Sequence, residues 1–463
     1  RRLGGAAIRR GDDEQREPER DDPGPHGHCG VLPIFLYSRR MRARSSPVRL
    51  WVCLLLTALA PGGAAHAGET YTLRALARTG DAAPGGGSFD RFGQETLPIV
   101  APVNARGDVA FFATVSRGGS DEGIFLQRAG RLVPVARDGD PVAGVGRLSG
   151  FGKHPTPALN DAGTVVFAAA VTGGRAVEGI FTWSAGRLRA IATTGMPMPG
   201  MPSAVLAGVD APAVNARGDV VFLATVRRGR EATEAVVASR GGVLHKVVAQ
   251  GDLAPAGGTF AGFGPPAVNA SGAVAFAAVV EGKAVPGGIF VAGPDRLQMV
   301  VAAGEETEIG GIFAKFSERI GLSDAGAIAF HGILKFAPVD AAIFVVESGR
   351  PRVVAKLGDP APGGGTIAHF GLWPVIGPAG AATFAASLEG GPTSVAILQA
   401  DAAGLTRITA VGDPLPGGDR IASFTLYPVV SVGPRGHVTF AVAPTATSEG
   451  PEGLFTAQPA SVR

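Results

Sequence analysis

From residue 71 onward the apolar positions fall in short runs, rich in Val, Ala, Ile and Phe, each cut off by Gly, Pro, Asn or Asp. Runs this short, closed by turn residues, predict β-strands rather than helices. In the first unit the expected strands are Leu97–Val103, Val109–Val115, Gly123–Gln127 and Arg131–Arg137, with Arg128-Ala129-Gly130 turning the chain between the last two. That gives four strands per unit and leaves no room for a helix.

The punctuation recurs at a fixed period. A Gly-Asp pair stands at Gly80-Asp81, Gly139-Asp140, Gly251-Asp252, Gly358-Asp359 and Gly412-Asp413, and Gly195-Met196 and Gly304-Glu305 fill the two gaps. The spacings of 59, 56, 56, 53, 54 and 54 residues define seven units of about 55. A second element follows in each unit. It begins and ends at Asn104 and Gly107, Asn160 and Gly163, Asn215 and Gly218, and Asn269 and Gly272, then varies to Ser323 and Gly326, Gly377 and Gly380, and Gly433 and Gly436. An apolar stretch ending on Phe comes next, at Phe111, Phe167, Phe222, Phe276, Phe330, Phe384 and Phe440. The third element reads Gly123-Ile124-Phe125 and its equivalents at Phe181, Phe290, Phe344 and Phe455. The Asn suits the first position of a turn and the Gly its fourth; where Asn is lost, Pro378 and Pro434 pre-set the same turn. This chemistry marks the Asn as a turn residue rather than a catalytic one.

Seven four-stranded units predict an all-β fold, a seven-bladed β-propeller, with a β-solenoid as the alternative. The ends favour the ring. The seventh unit stops after its third strand, Gly453–Ala457, and the missing fourth strand appears at the front as Tyr71–Asp81. An N-terminal strand that closes the ring removes two raw sheet edges that an open stack would expose.

The motif Asn-x-x-Gly-x-x-Ala-Phe, as in residues 104–111 and 269–276, resembles the NxxGxxAF tandem-repeat proteins, exported bacterial proteins of the choice-of-anchor kind. The resemblance spans nearly all of 71–457. It implies export but no activity, and the C-terminal sorting signals for which such proteins are named are not visible here.

Charge changes the picture only after the chain is divided. Of 42 Lys and Arg and 39 Asp and Glu, residues 1–67 hold 11 and 7, which leaves 31 basic and 32 acidic residues in the rest. A near-neutral body without a basic run argues against nucleic acid as a partner, since that affinity rests on neutralising phosphates. The first methionine is Met41. Arg42, Arg44 and Arg49, the apolar run Leu50–Ala60 and Ala65-His66-Ala67 then read as a secretory signal peptide over 41–67, cleaved to leave 68–463. Residues 1–40, rich in charge and Pro, are expected to be an upstream segment foreign to the mature protein, or disordered if translated. Both cysteines, Cys29 and Cys53, precede the cleavage site, so the mature chain is expected to have no disulfide, thiol nucleophile or Cys-bound zinc. The expected location is periplasmic or extracellular, as a monomer without a transmembrane segment.

Candidate chemistry is sparse. Asp81, Asp140, Asp252, Asp359 and Asp413 repeat at one phase beside Pro- and Gly-rich segments, and a ring of such oxygens is a candidate calcium site. The competing reading is an Asp that caps the amides of its own loop. Met196, Met198 and Met201 form a soft-ligand cluster of the kind that holds Cu(I), or else an apolar loop packed on its neighbour. His154, His245, His331, His369 and His437 lie in different units at different phases, without zinc-hydrolase spacing. Asp121/Glu122 and Glu305/Glu306 read as solvated loop charge. The Gly-Asp loops and the loops between second and third strands, such as Ser116–Glu122 and Arg227–Glu234, are expected to share one face of the disc. Residues far apart in sequence can still converge near the axis. These features favour a non-enzymatic binding or scaffold protein that requires no cofactor and takes an envelope protein or glycan as partner. A glycan-directed lyase or hydrolase and a metal-binding propeller are the alternatives.

Overall fold

The computed structural model describes residues 71–93, 98–152, 154–282, 285–377, 379–425, 428–443 and 452–460. The expected upstream segment 1–40 and signal peptide 41–67 lie outside the described residues. The described chain is all-β, seven antiparallel sheets that form a seven-bladed β-propeller. Among these residues no helix is long and apolar enough to cross a membrane.

Blade 1 shows the plan. Its inner strand, Ser88–Phe92, pairs with the second strand, Val109–Ser116; the third, Glu122–Arg128, and the outer, Arg131–Arg137, follow. Blades 2 to 6 repeat this order. Blade 7 takes its outer strand from the front of the chain: Tyr71–Arg78 pairs antiparallel with Gly453–Pro459, from Tyr71 opposite Pro459 to Arg78 opposite Gly453. The expected closure is therefore present.

The inner strand differs from expectation. Leu97–Val103 is not the inner strand of blade 1; Ser88–Phe92 is, and within 98–103 only Val103 bridges to Val109. The other inner strands are also broken. Blade 4 uses Thr259–Phe263 and then Ala267–Val268, and blade 5 uses Ile312–Phe316 and then Gly321–Leu322. Blade 3 keeps one strand, Val205–Val214, with its register shifted between Asp210 and Ala213. Proline, which cannot donate to a ladder, explains most of the breaks: Pro98, Pro155, Pro212, Pro265, Pro374 and Pro428 fall there. Blade 5 has Glu318 and Arg319 instead. The expected loop Arg227–Glu234 is also shorter than its sequence suggests, because Arg228 pairs with Glu231 and the two strands run on into the hairpin.

The repeated phenylalanines face one another. Phe111 lies opposite Phe125, Phe167 opposite Phe181, Phe276 opposite Phe290 and Phe330 opposite Phe344, all buried, with ring centroids 5.5–6.0 Å apart. Each sheet is covered on both faces. Phe167 and Phe181 of blade 2 pack with Ala110, Phe112, Ile124 and Leu126 of blade 1. Two-sided burial explains why the second strands read as near-continuous apolar runs instead of alternating.

Polar side chains then tie blade to blade. The Asn of the second element does more than turn the chain. Asn104 Oδ1 accepts the amides of Arg106 (2.9 Å) and Asp108 (3.0 Å), as the turn requires. Its Nδ2 donates to the carbonyl of Asn160 in the next blade (3.2 Å), Asn160 donates to Asn215 (3.0 Å), and Asn215 donates to Asn269 (3.0 Å). All four side chains are buried. Gly107, in the left-handed region at φ 78°, closes this turn by donating to the Asn104 carbonyl (2.9 Å). A second tie comes from a glutamate at or near the start of the third strand. Glu122, Glu178, Glu234 and Glu452 accept the amides of Phe151, Val209, Phe263 and Phe92, on or just after the first inner strand of the following blade, at 3.0–3.4 Å. Glu122 is thus half-buried and structural rather than solvated, and burial pushes its carboxyl and that of Glu452 above the usual carboxylate value.

Deleting residues 71–79 leaves the Gly453–Pro459 edge open, so aggregation or loss of the cooperative melt is expected; a monomeric deletion variant with an unchanged melt would contradict the closed ring. Asn160→Ala removes an amide that serves two blades and is expected to cost about 2–4 kcal/mol in denaturant unfolding. Ser323→Ala, at a position whose hydroxyl accepts only the Ala327 amide (3.0 Å), is expected to cost about 1 kcal/mol. Equal costs would show that the inter-blade bond adds nothing.

Candidate functional site

The Gly-Asp loops and the second-to-third-strand loops do meet on one face. Ser88 Oγ lies 3.2 Å from Ser116 Oγ, and the backbone of Gly87 presses so closely on Ser116 and Gly118 that an added Cβ would overlap them. Yet the repeated acids on that face are turned inward. Oδ2 of Asp81, Asp140, Asp252, Asp359 and Asp413 accepts the amide three residues before it, in each case at 2.7–2.8 Å. Lys246, Lys356 and Arg407 pair with three of them. Glu305 makes the same bond to Ala302 (3.0 Å), and Met196 Sδ takes the Thr193 amide (3.2 Å). Each acid caps its own turn, and no group of three or more His, Cys, Asp or Glu gathers as a metal site among the described residues.

The Met loop is part of the core. Met198 is buried, and Met196 and Met201 pack against the cluster of Leu206, Val220 and Phe222. Asn104, Asn160, Asn215 and Asn269 are spent on the ring described above. His331 is half-buried against the Phe370 ring, 5.4 Å between centroids, and desolvation pushes its pKa down to about 4, which keeps it neutral.

One constellation gathers side chains from several blades, and the repeats do not announce it. It occupies the breaks in the inner strands. His154 comes from the break of blade 2, Asp210 from blade 3, Glu318 and Arg319 from blade 5 and Trp373 from blade 6. Beyond the breaks, the second halves of neighbouring inner strands lie side by side around the axis. His154 Nδ1 is 2.7 Å from Asp210 Oδ2, and Asp210 Oδ1 accepts the Ala211 amide (2.7 Å). Ala211 holds a left-handed φ of 46°, so the Asp210 bulge is a constrained conformation. The Arg319 guanidinium sits over the Trp373 ring, 5.3 Å from its centroid.

Blades 2 and 5 stand three places apart in a ring of seven, so any interaction between their inner strands crosses the axis. The hydrogen bond that His154 donates to Asp210 raises the pKa of His154 above its ordinary value, burial opposes the shift, and Glu318 adds to it while Arg319 subtracts. Desolvation lowers Arg319 from the usual guanidinium value, with Asp210 and Glu318 opposing. Arg319 is half-buried by exposed area but sits deep among protein atoms. Its carbonyl accepts the Ser317 hydroxyl (2.9 Å), but its guanidinium makes no hydrogen bond or ion pair with any described residue. The nearby carboxylates influence it from beyond ion-pair distance.

A sequence signal for this site exists. Six units place Pro a few residues before the second element, and the fifth has Glu318-Arg319 at that phase. A charged pair where the repeat asks for a strand-breaking, apolar residue is the anomaly that marks it.

The raised pKa of His154 gives a signed prediction. The His154–Asp210 pair stabilises the fold fully below the unfolded imidazole value near 6.5, and that contribution is lost as pH rises through the raised value. Wild type is expected to melt above Asp210→Asn at a pH of about 5.5 and to converge with it by about pH 9. A gap in melting temperature that stays constant across this range would contradict the pairing.

No curated protein matches the sequence. Among solved structures, the chain is similar to an oligogalacturonate lyase in complex with manganese, at 13% identity and a TM-score of 0.46 over 85% of this chain and 99% of that one. It is also similar to the β-propeller domain of the Trilobed protease from Pyrococcus furiosus, with 11% identity, a TM-score of 0.44 and coverage of 81% and 99%. A third is the Pyrococcus horikoshii acylaminoacyl peptidase, with 12% identity, a TM-score of 0.46 and coverage of 79% and 52%. At these levels the similarity says nothing of this chain's chemistry. A family model matches residues 61–287 and 281–461, nearly the whole propeller, and the chain accordingly belongs to the Family of unknown function (DUF7453).

Proposed function

We propose that this protein is a non-enzymatic, ligand-binding propeller of the bacterial cell envelope or exterior, and that its ligand sits on the axis. The observation that carries this reading is Arg319, a half-buried guanidinium that lies 5.3 Å from the Trp373 ring centroid and has no hydrogen bond or ion pair with a described residue. Charged side chains are rarely taken from water without a partner, because the cost is high unless a complementary group meets them. The recurrent polar residues are spent on turns and on blade-to-blade ties, which leaves the axial cluster as the set available to a ligand. The signal-peptide pattern of 41–67 and the resemblance to exported NxxGxxAF proteins support the location.

Native mass spectrometry of protein purified from an envelope fraction without chelator tests the reading. A non-covalent mass that denaturation removes, and that is lost from Arg319→Lys while the fold persists, is expected. A bare chain in wild type, or a bound mass indifferent to Arg319, would overturn the axial site.

A further inference from the structure

The chemistry of the axial cluster narrows the ligand, on the assumption that the axis is indeed the binding site. We infer that the site is built for a hydroxylated carboxylate, the chemistry of a sugar acid: Arg319 takes the carboxylate, and Asp210 and Glu318 take neighbouring hydroxyls.

Three observations converge. First, a guanidinium presents its N–H donors in a planar fork that matches a carboxylate with two parallel bonds, and Arg319, 5.3 Å from the Trp373 ring centroid, has no ion pair with a described residue to occupy that fork. Second, Glu318 is exposed and Asp210 half-exposed, and neither lies within ion-pair distance of Arg319. Ionised carboxylates only accept hydrogen bonds, so beside a bound anion they need a ligand that also brings donors, and hydroxyl groups supply them. A plain alkyl carboxylate would bring negative charge to Glu318 with nothing to offset it. Third, Arg319 is a single cation under the influence of two carboxylates, Asp210 and Glu318, so a dianion such as phosphate meets more repulsion there than a monoanion does. A cationic ligand finds the Trp373 face already occupied by Arg319.

The test uses the full chain carrying Trp51→Phe and Trp183→Phe, so that Trp373 is the sole indole and reports the site by its fluorescence. The probes are D-glucuronate, glucose, acetate, inorganic phosphate and a short oligoglucuronate. Glucuronate is expected to change Trp373 emission saturably, with glucose, acetate and phosphate each weaker by about tenfold or more, about the effect of one lost charge-assisted hydrogen bond. Tighter binding of the oligomer than the monomer would assign the ligand to the end of an acidic glycan, and equal binding to the free acid. Arg319→Lys is expected to weaken glucuronate by about tenfold. Glu318→Gln is expected to narrow the preference for glucuronate over acetate, and this variant decides the matter if Arg319→Lys does not fold.

Glucose binding as well as glucuronate, phosphate binding more tightly, or selectivity unmoved by Glu318→Gln would overturn the sugar-acid assignment. The failures are separable. If every probe is silent while native mass spectrometry shows a bound mass that depends on Arg319, the axis is the site and the ligand class is wrong. If the bound mass ignores Arg319, the axial reading itself falls.

Discussion

A ring of seven sheets must hold its blades together at the one place where they crowd, the circle of inner strands around the axis. There, backbone amides and carbonyls of neighbouring blades approach without forming a continuous ladder, and buried polar backbone groups left unpaired are costly. The chain solves this with side chains. The Asn ring supplies donors to the next blade's carbonyls, and the Glu at the start of the third strand supplies an acceptor to the next blade's amide. Apolar burial between blades fills the volume, but it is non-directional and does not by itself fix which blade meets which.

The ties are unevenly spread. The Asn run covers blades 1 to 4, and the Glu ties link blade 7 to 1, 1 to 2, 2 to 3 and 3 to 4. Blades 5 to 7 use Ser or Gly at the Asn position and are joined by scattered side-chain bonds, such as Tyr71 to Gln399 and Thr439 to the Ala101 carbonyl, and by backbone approach, as where Gly433 lies against Val103 of blade 1. This asymmetry coincides with the placement of the axial cluster. The side of the ring that is freed from the Asn ties is the side that supplies Glu318, Arg319 and Trp373 to the axis, opposite the His154–Asp210 pair.

The architecture was legible because it rests on local signals repeated seven times. The period, the turn chemistry and the displaced fourth strand at Tyr71–Arg78 each predict the propeller and its closure, and the structure has them. What the sequence hides is whatever depends on two blades at once. The turn role of Asn104 could be read from Asn104 to Gly107, but its bond to Asn160 is 56 residues away and requires the ring. The inner strand was misplaced because apolar character continues through 97–103, while the pairing had already been made by Ser88–Phe92. The axial cluster was hidden for the same reason: its members are single departures from the repeat in four different units, and periodicity analysis averages such departures away. The Asp series, by contrast, was conspicuous because it repeats, and it repeats because every blade needs the same turn.

The central claim is that the axis, not the loop face, is where this protein meets its ligand. A crystal structure of protein purified without chelator or added ligand addresses it directly. The account predicts non-solvent density on the axis, in hydrogen-bond contact with Arg319 and beside His154 and Trp373. Ordered water alone around Arg319, together with a ligand on the Gly-Asp face, would contradict it.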